Sequence, residues 1–209
     1  GNGSDKPTLD YDHADGEFVI GADNVTIKNI RFRVSANAVT KAIDIEDGVV
    51  HATIIGCDFG FAETATDEFT EGIIFNDASN YGRVENCFFD AGSQAAASCI
   101  MFDEDTHGTV VKNNIFLGTW ATAIIEGATT ASTSLVITDN DMFGIGTADT
   151  FNLVASSTGL VARNTIVMTA ASAAAALDIG DCLNMSNTLI ADDDVGGTKG
   201  EPAFTSAYA

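Results

Sequence analysis

Apolar residues recur along the chain in one short pattern, which alternates apolar and polar positions, reaches an Asn, and places a Phe three residues later. The pattern reads NVTIKNIRF at 24–32, HATIIGCDF at 51–59, GRVENCFFD at 82–90 and TVVKNNIFL at 109–117. Copies aligned on the Asn position follow one another at intervals of 23 to 30 residues. The aligned residues are Asn29, Gly56, Asn86, Asn113, Asp139, Asn164 and Asn187. A period of this length predicts a stacked repeat architecture.

A second short apolar pattern lies between successive copies of the first. It reads EFVI at 17–20, AIDI at 42–45, GIIF at 72–75, CIMF at 99–102, AIIE at 123–126, NLVA at 152–155 and ALDI at 176–179. These segments are rich in Ile, Val and Phe, alternate with period two and are bounded by Gly, Asn, Asp and Ser, which predicts strands. No window keeps a helical period, so we interpret TAASAAAAL at 169–177 as a loop that leads into a strand.

The repeat predicts an all-β fold, a parallel β-helix of about seven coils with 23–30 residues per coil, over residues 1–190. A repeat this short buries its apolar face only against its neighbours. At ~4.8 Å per coil the rod would be about 35 Å long. A propeller needs roughly 40 or more residues per blade, and a left-handed hexapeptide helix needs a six-residue period. Residues 191–209 are predicted to be a C-terminal tail or cap.

The Asn position predicts a sharp bend between two strands, because Asn and Gly tolerate the left-handed backbone that such a bend requires. Stacked side chains at this position would form a hydrogen-bonded ladder. The predicted ladder residues are Asn29, Asn86, Asn113, Asp139, Asn164 and Asn187. At the next position, Cys57 and Cys87 would be neighbours in adjacent coils. We interpret them as buried free thiols, with a disulfide as the alternative.

The composition of the chain argues against several classes of function. The 209 residues have a formal net charge of −21, which argues against a nucleic-acid partner and suits a soluble extracellular protein. No apolar run is long enough to span a bilayer, so no membrane partner is expected. The beginning GNGSDKPTL has neither an initiator Met nor a leader pattern and suggests a processed or truncated chain. The four cysteines match no zinc-site spacing.

The segment GNGSDKPTLDYD, followed by the copies of NVTIKNIRF, resembles right-handed parallel β-helix proteins encoded by tailed bacteriophages. The resemblance covers nearly the whole chain. It implies a non-enzymatic virion structural protein, of capsid-decoration or tail-appendage type, located in the virus particle. Members of that group normally have a strand-rich cap before this point, which is a further reason to expect that this sequence is a truncated chain. Pectate lyases, polygalacturonases and tailspike glycosidases share the fold, so the fold alone does not decide the function.

The residues that could bind a metal ion or take part in catalysis lie in or next to one acidic stripe. The stripe consists of Glu46, Asp47, Asn76, Asp77, Asp103, Glu104 and Asp105. Calcium would be bound by Asp77, Asp103 and Asp105, since calcium prefers oxygen ligands. Candidate catalytic residues are His51, Tyr81, His107, Asp77 and Asp105. The favoured interpretation is a solvated acidic edge without a catalytic residue or a cofactor, and calcium binding and catalysis are the alternatives. The loop at 60–72 places Phe61 and Phe69 either against a partner or back on the rod.

The alternation also predicts apolar side chains on the outside of the rod. The predicted interface residues are Ile74, Met101, Ile125 and Val154 on one face, and Phe88, Ile115, Ile166 and Leu189 near the Asn pattern. Contiguous exposed apolar patches mark interaction sites. We therefore expect a homo-oligomer, with a trimer favoured by analogy with phage rods, or packing on other virion proteins. The alternatives are loops of the same chain covering this face, a glycan-binding or glycan-cleaving appendage, and a surface adhesin.

Overall fold

The computed structural model describes residues 6–36, 39–60, 69–92, 96–145, 149–168, 177–191 and 204–205. Within these residues the chain forms 23 strands in three parallel sheets and contains no helix. The structure confirms the predicted all-β parallel solenoid, and it makes about six turns. The sequence predicted about seven coils. The difference depends on what is counted, because seven strands stacked in one sheet are connected by six turns of the chain.

Each coil contributes one strand to each sheet in a fixed order. A strand of sheet 3 leads through a tight bend into a strand of sheet 1, then into a strand of sheet 2, and the next coil begins. The Asn pattern therefore contains the sheet 3 strand, the bend and the sheet 1 strand. The second pattern is the strand of sheet 2.

Sheet 1 contains eight strands in the described part of the chain. They are β1 (Thr8–Tyr11), β4 (Arg31–Val34), β7 (Asp58–Gly60), β10 (Phe88–Asp90), β13 (Ile115–Leu117), β16 (Asp141–Ile145), β19 (Thr165–Met168) and β22 (Thr188–Ala191).

Sheet 2 also has eight described strands, several of them longer than those of the other sheets. They are β2 (Phe18–Ile20), β5 (Val39–Ile45), β8 (Phe69–Phe75), β11 (Ala96–Phe102), β14 (Trp120–Gly127), β17 (Asp149–Asn152), β20 (Leu177–Asp178) and β23 (Phe204–Thr205).

Sheet 3 has seven strands among the described residues. They are β3 (Thr26–Lys28), β6 (Thr53–Ile55), β9 (Arg83–Glu85), β12 (Val110–Lys112), β15 (Leu135–Thr138), β18 (Gly159–Ala162) and β21 (Leu183–Met185).

The core consists of columns of like side chains that continue from coil to coil. The inward position of sheet 1 begins with a stack of four phenylalanines, in which neighbouring ring centroids are 4.6 to 4.9 Å apart and the rings are within 9° of parallel. These residues are Phe32, Phe59, Phe89 and Phe116, each at most 1% exposed. Met142, Ile166 and Leu189 continue the column. Parallel pairing in register therefore lets each ring pack on the next one.

The bend between sheets 3 and 1 is a single residue with a left-handed backbone, as predicted. Asn29, Asn86, Asn113 and Asp139 have φ between 55° and 59°, and Gly56 has φ 63°. The next two coils differ from the prediction, because Arg163 (φ 56°) and Ser186 (φ 54°) occupy the bend.

The predicted alignment was therefore one residue late for Asn164 and Asn187. Thr138 pairs with Ala162, and Ala162 pairs with Met185, which sets the register of these coils. An Arg at a positive φ is uncommon, and nothing in residue preference signals it.

A β-bulge shifts the register of sheet 2. Ala96 pairs with Trp120, but two residues later Ser98 pairs with Ala123, so β14 contains one extra residue. The bulge places Ile125, predicted to point outward, opposite the inward Ile100, and its side chain is 0% exposed. The prediction for Ile125 is wrong because sequence alignment assumed an unbroken ladder.

The described part of the C-terminal region contributes a further strand. Phe204 and Thr205 pair with Leu177 and Asp178 and so extend sheet 2 by β23. Tyr208, most of the predicted tail, Phe61 and most of TAASAAAAL lie outside the described residues. Phe69, in contrast, is 0% exposed, and its ring meets that of Tyr11 edge-on at 5.0 Å, so it packs inside the rod.

Candidate assembly surface

An apolar strip runs along the outer face of sheet 1 over the C-terminal half of the rod. Its members occupy the positions on either side of the inward column and stack in register. We define the sheet 1 strip as Phe88, Ile115, Leu117, Phe143, Val167 and Ile190. It spans the five strands from β10 to β22, or about 19 Å at ~4.8 Å per strand.

The strip is accessible to solvent. Ile115 is 39% exposed, Phe143 36% and Ile190 50%, whereas Phe88, Leu117 and Val167 are half-buried. Large apolar side chains in adjacent outward positions of several strands are unusual on a solvated face. The strip therefore has the character of an interaction surface.

The N-terminal half of the same face is ionic. Its outward positions hold Arg31 and Asp58, whose charged groups are 3.7 Å apart, and Lys6 forms a second ion pair with Asp58. Arg33 and Asp10 occupy paired outward positions beside them. The face thus divides into a charged half and an apolar half.

Two predicted interface residues lie in the core instead of on this face. Ile166 is 0% exposed, and Leu189 packs against the core cluster. Both stack below Met142 in the inward column, so the outward positions belong to Val167 and Ile190. The cause is the one-residue alignment error at Asn164 and Asn187, since a shift of one residue exchanges the two faces of a strand. Phe88 and Ile115 point outward as predicted.

The outer face of sheet 2 is not the apolar surface that the sequence predicted. Ile74 is only 3% exposed and Met101 is half-buried. Below them the same outward position holds Glu126 and Asn152, because the bulge in β14 shifts the register. Val154 is half-buried and follows β17 as part of a turn.

The strands of sheet 2 carry several acidic residues, among them Asp44, Glu71 and Glu126. Asp44 accepts a hydrogen bond from Asn76 Nδ2 at 2.7 Å and pairs with Lys41 at 3.0 Å. Burial, together with the charges of Glu126 and Asp103, raises the pKa of Glu71. This face is therefore acidic, unlike the strip on sheet 1.

The ladder exists, but one position beyond the predicted one. Asn114, Asn140, Asn164 and Asn187 point into the rod, and the first three are at most 1% exposed. The Oδ1 of each lower residue accepts from the backbone N–H and the Nδ2 of the residue above, at 2.8 to 3.1 Å. Each Nδ2 also donates to a backbone carbonyl of sheet 3.

The ladder prediction was therefore right for Asn164 and Asn187 and wrong for Asn29, Asn86, Asn113 and Asp139. In the left-handed bend the side chain points to solvent, and the next residue is the one that points inward. Gly56 fits this arrangement, because a Cβ there would approach the Oδ1 of Asn29 to 2.7 Å. At the bend, Asp139 instead accepts two hydrogen bonds from Arg163, at 2.7 and 2.8 Å. That pair lowers the pKa of Asp139.

Cys57 and Cys87 continue the ladder upward, with sulfur in place of the amide oxygen. The N–H of Cys87 donates to Asn114 Oδ1 at 2.9 Å, and the N–H of Cys57 donates to the Sγ of Cys87 at 3.4 Å. The hydrogen bond with Cys87 lowers the pKa of Cys57 to about 7, while that bond and burial raise the pKa of Cys87. Both are free thiols, as are Cys99 and Cys182, and all four are buried.

The three candidate catalytic rings form a column on the turn between sheets 2 and 3. His51 stacks on Tyr81 at 5.2 Å, and His107 meets Tyr81 edge-on at 5.4 Å. A Cβ on Gly108 would approach the Tyr81 ring to 2.8 Å, so the ring rests on that glycine. Tyr81 thus stacks between groups of the adjacent coils. Its faces contact protein groups, although the residue as a whole is 46% exposed.

The acidic residues of the same turn stack without converging. Asp77 and Asp105 occupy matching positions, because Gly48 N–H donates to the Asp77 carbonyl and Ala78 N–H to that of Asp105. Among the described residues, no three His, Cys, Asp or Glu side chains are grouped so as to hold a metal ion. Calcium binding by Asp77, Asp103 and Asp105 therefore stays a prediction without geometric support. Catalysis by Asp77 and Asp105 also stays a prediction.

Comparisons of the chain with protein-family models, with curated proteins and with solved structures give no match. Within the described residues there is also no helix of the length and apolarity that crossing a bilayer requires.

Four members of the sheet 1 strip were not predicted from the sequence. Leu117 and Phe143 lie two residues after an outward position, and Val167 and Ile190 lie one residue after residues predicted to point outward. Strict period-two counting from Phe116 and Met142 would have found Leu117 and Phe143. Val167 and Ile190 required the register of the last two coils.

Proposed function

We propose that this chain is a non-enzymatic structural subunit of an extracellular particle, a virion component of capsid-decoration or tail-appendage type. Its function would be to pack laterally on identical copies or on other particle proteins. The observation that supports this proposal is the sheet 1 strip, where Ile115, Phe143 and Ile190 expose apolar side chains in stacked coils. The resemblance of the Asn pattern to phage β-helix proteins supports the virion setting.

Self-association is the mode that we favour, with a trimer as the expected state. Closed symmetric assemblies are the general rule for soluble homo-oligomers. Burial of the strip would remove apolar area from water at roughly 25 cal/mol per Å². The rigid stacked core presents this area without the ordering cost of a flexible loop.

A glycan-binding appendage is the second candidate, and its site would be the ring column. Sugar binding there would require an aromatic face open to solvent. Tyr81 has His51 on one side and Gly108 on the other, so its faces are already in contact with protein. We therefore favour the structural role.

The substitution Phe143→Asp tests the proposal. We expect the wild-type chain to sediment as an oligomer at tens of micromolar and the variant to sediment as a monomer. A carboxylate forced into an apolar interface costs about 3–5 kcal/mol, which weakens association on the order of 10²–10⁴-fold. The variant should keep the far-UV circular dichroism of the wild type, because Phe143 is exposed in the single chain.

Thr40→Asp is the matched control, since it adds the same charge at an exposed strand position of sheet 2. It should leave the sedimentation coefficient unchanged. An oligomer that survives Phe143→Asp at the same concentration would contradict assembly through sheet 1.

A further inference from the structure

A second apolar strip lies on the outer face of sheet 3. Its members stack in register in one outward position, and Met185 adds to it at the last described coil. We define the sheet 3 strip as Val110, Val136, Leu160, Leu183 and Met185. Leu183 is 55% exposed and Met185 50%, and the other three are half-buried.

The two strips lie in the same coils, on either side of a common corner. That corner is the one-residue bend, formed by Asn113, Asp139, Arg163 and Ser186 in these coils. Its charges are paired, since Arg163 Nε is 2.7 Å from Asp139 Oδ1. The rod therefore has a wedge with two apolar sides at the same height along its axis.

The charge distribution also favours contact through this wedge. Seven of the nine Lys and Arg residues lie in or next to sheets 1 and 3: Lys6, Lys28, Arg31, Arg33, Arg83, Lys112 and Arg163. The turns between sheets 2 and 3, at 46–52, 76–82 and 103–109, contain six Asp or Glu residues and no Lys or Arg. Two chains of charge −21 repel each other through such turns. Of these seven, Arg83, Lys112 and Arg163 lie in or next to the coils of the wedge, and Arg83 and Arg163 are paired with Glu85 and Asp139, so the wedge is less negative than these turns.

We infer that the sheet 3 strip of one copy packs on the sheet 1 strip of the next. This inference rests on the proposed function and names the partner surface as a second copy of this chain. A single self-complementary face would be enough for a twofold dimer, whereas two different apolar faces at a corner are what a head-to-tail ring uses. Rotation about an axis parallel to the rod brings the two strips together at equal height.

The side chains of the two strips are complementary in size. The sheet 1 strip presents Phe88 and Ile115 in one outward column, which continues with polar residues from Asp141 onward. The other outward column presents Leu117, Phe143, Val167 and Ile190. The sheet 3 strip presents one column that includes the smaller Val110 and Val136, and the neighbouring position holds Thr138 and Ala162, which are only 2% and 1% exposed. Rings of one copy can therefore lie beside a narrow ridge of the other, as close packing at an interface requires.

The test uses two single variants and their mixture. Phe143→Asp places a charge in the sheet 1 strip, and Leu160→Asp places one in the sheet 3 strip, so each variant keeps only one strip able to pack on a partner. Each variant alone should be monomeric in sedimentation velocity, with association weakened at least 100-fold. Mixed in equal amounts, they should form a heterodimer, because one intact sheet 3 strip then meets one intact sheet 1 strip. Circular dichroism confirms the fold, and Leu183→Asp, at a more exposed position, replaces Leu160→Asp if the latter unfolds.

Two results would overturn the inference. The first is that the single variants Leu160→Asp and Leu183→Asp both assemble like the wild type while Phe143→Asp does not. Assembly through sheet 1 would then be supported, and the head-to-tail ring would be contradicted. The other is a mixture of folded monomeric variants that remains monomeric. A wild-type chain that is monomeric from the start would instead remove the self-association on which both proposals rest.

Discussion

Replacing Phe89 by Ala is expected to lower the free energy of unfolding by about 3–5 kcal/mol, since the change leaves a cavity in the centre of the rod. The ring lies between those of Phe59 and Phe116, at 4.6 and 4.9 Å, and is 0% exposed. Each lost ring pair adds to the loss of apolar burial. For a chain of this size the melting temperature should fall by roughly 6–20 °C, measured by circular dichroism.

Phe88→Ala is the matched control, because it removes the same side chain from the preceding residue of the same strand. Phe88 points outward and is half-buried, so the melting temperature of the monomer should change by only a few degrees. The substitution should instead weaken self-association. Equal losses of stability at the two positions would mean that the register of β10 is wrong.

Asn140→Ala is expected to have a comparable effect for a different reason. It leaves the backbone N–H of Asn114 without its acceptor, removes one of the two acceptors of Asn114 Nδ2, and removes a donor to the carbonyl of Val111, all inside the rod. Each unsatisfied buried polar group costs about 1–3 kcal/mol. The combined loss should be about 3–5 kcal/mol, visible as a shift of the chemical-denaturation midpoint.

Asp139→Asn serves as the control for the ladder. Asp139 is the adjacent residue, its side chain points outward to Arg163, and Asn tolerates the left-handed backbone. The loss of one exposed ion pair should cost at most about 1 kcal/mol. Since the sequence pattern alone suggested that Asp139 belongs to the ladder, a larger effect of Asp139→Asn than of Asn140→Ala would restore that first assignment.

The sequence predicted the architecture well because repetition amplifies a weak signal. A single stretch such as 24–32 indicates only two short strands, but aligned copies indicate one coil and its period. The inward Phe column and the left-handed bends at Asn29, Asn86 and Asn113 followed from this alignment. Each of these features depends on local chemistry that recurs in every coil.

The errors have two physical causes, and both concern register. Arg163 occupies a bend that residue preference assigns to Asn or Gly, and its ion pair with Asp139 stabilises it there. The bulge before Ala123 inserts one residue into β14. Neither feature follows from the alternation of apolar and polar residues. A shift of one residue was enough to exchange Ile166 with Val167 between core and surface.

The sequence predicted that an apolar surface lies on the outside of the rod, but it identified only some of the residues that form this surface. The sequence suggested that apolar residues lie outside the rod, and Phe88 and Ile115 do. It placed the main face on sheet 2, where Glu126 and Asn152 interrupt the apolar column. Which outward columns are apolar over several coils depends on the register of each strand pair, and only the structure shows that register.

Sedimentation velocity of the wild-type chain over a range of about 1 to 100 µM tests the central claim most directly, because every proposal above requires the exposed strip on sheet 1 to be covered by a partner. We predict a concentration-dependent oligomer, with a trimer as its limiting mass. A single monomeric species of 21.7 kDa over the whole range would contradict self-association through this face.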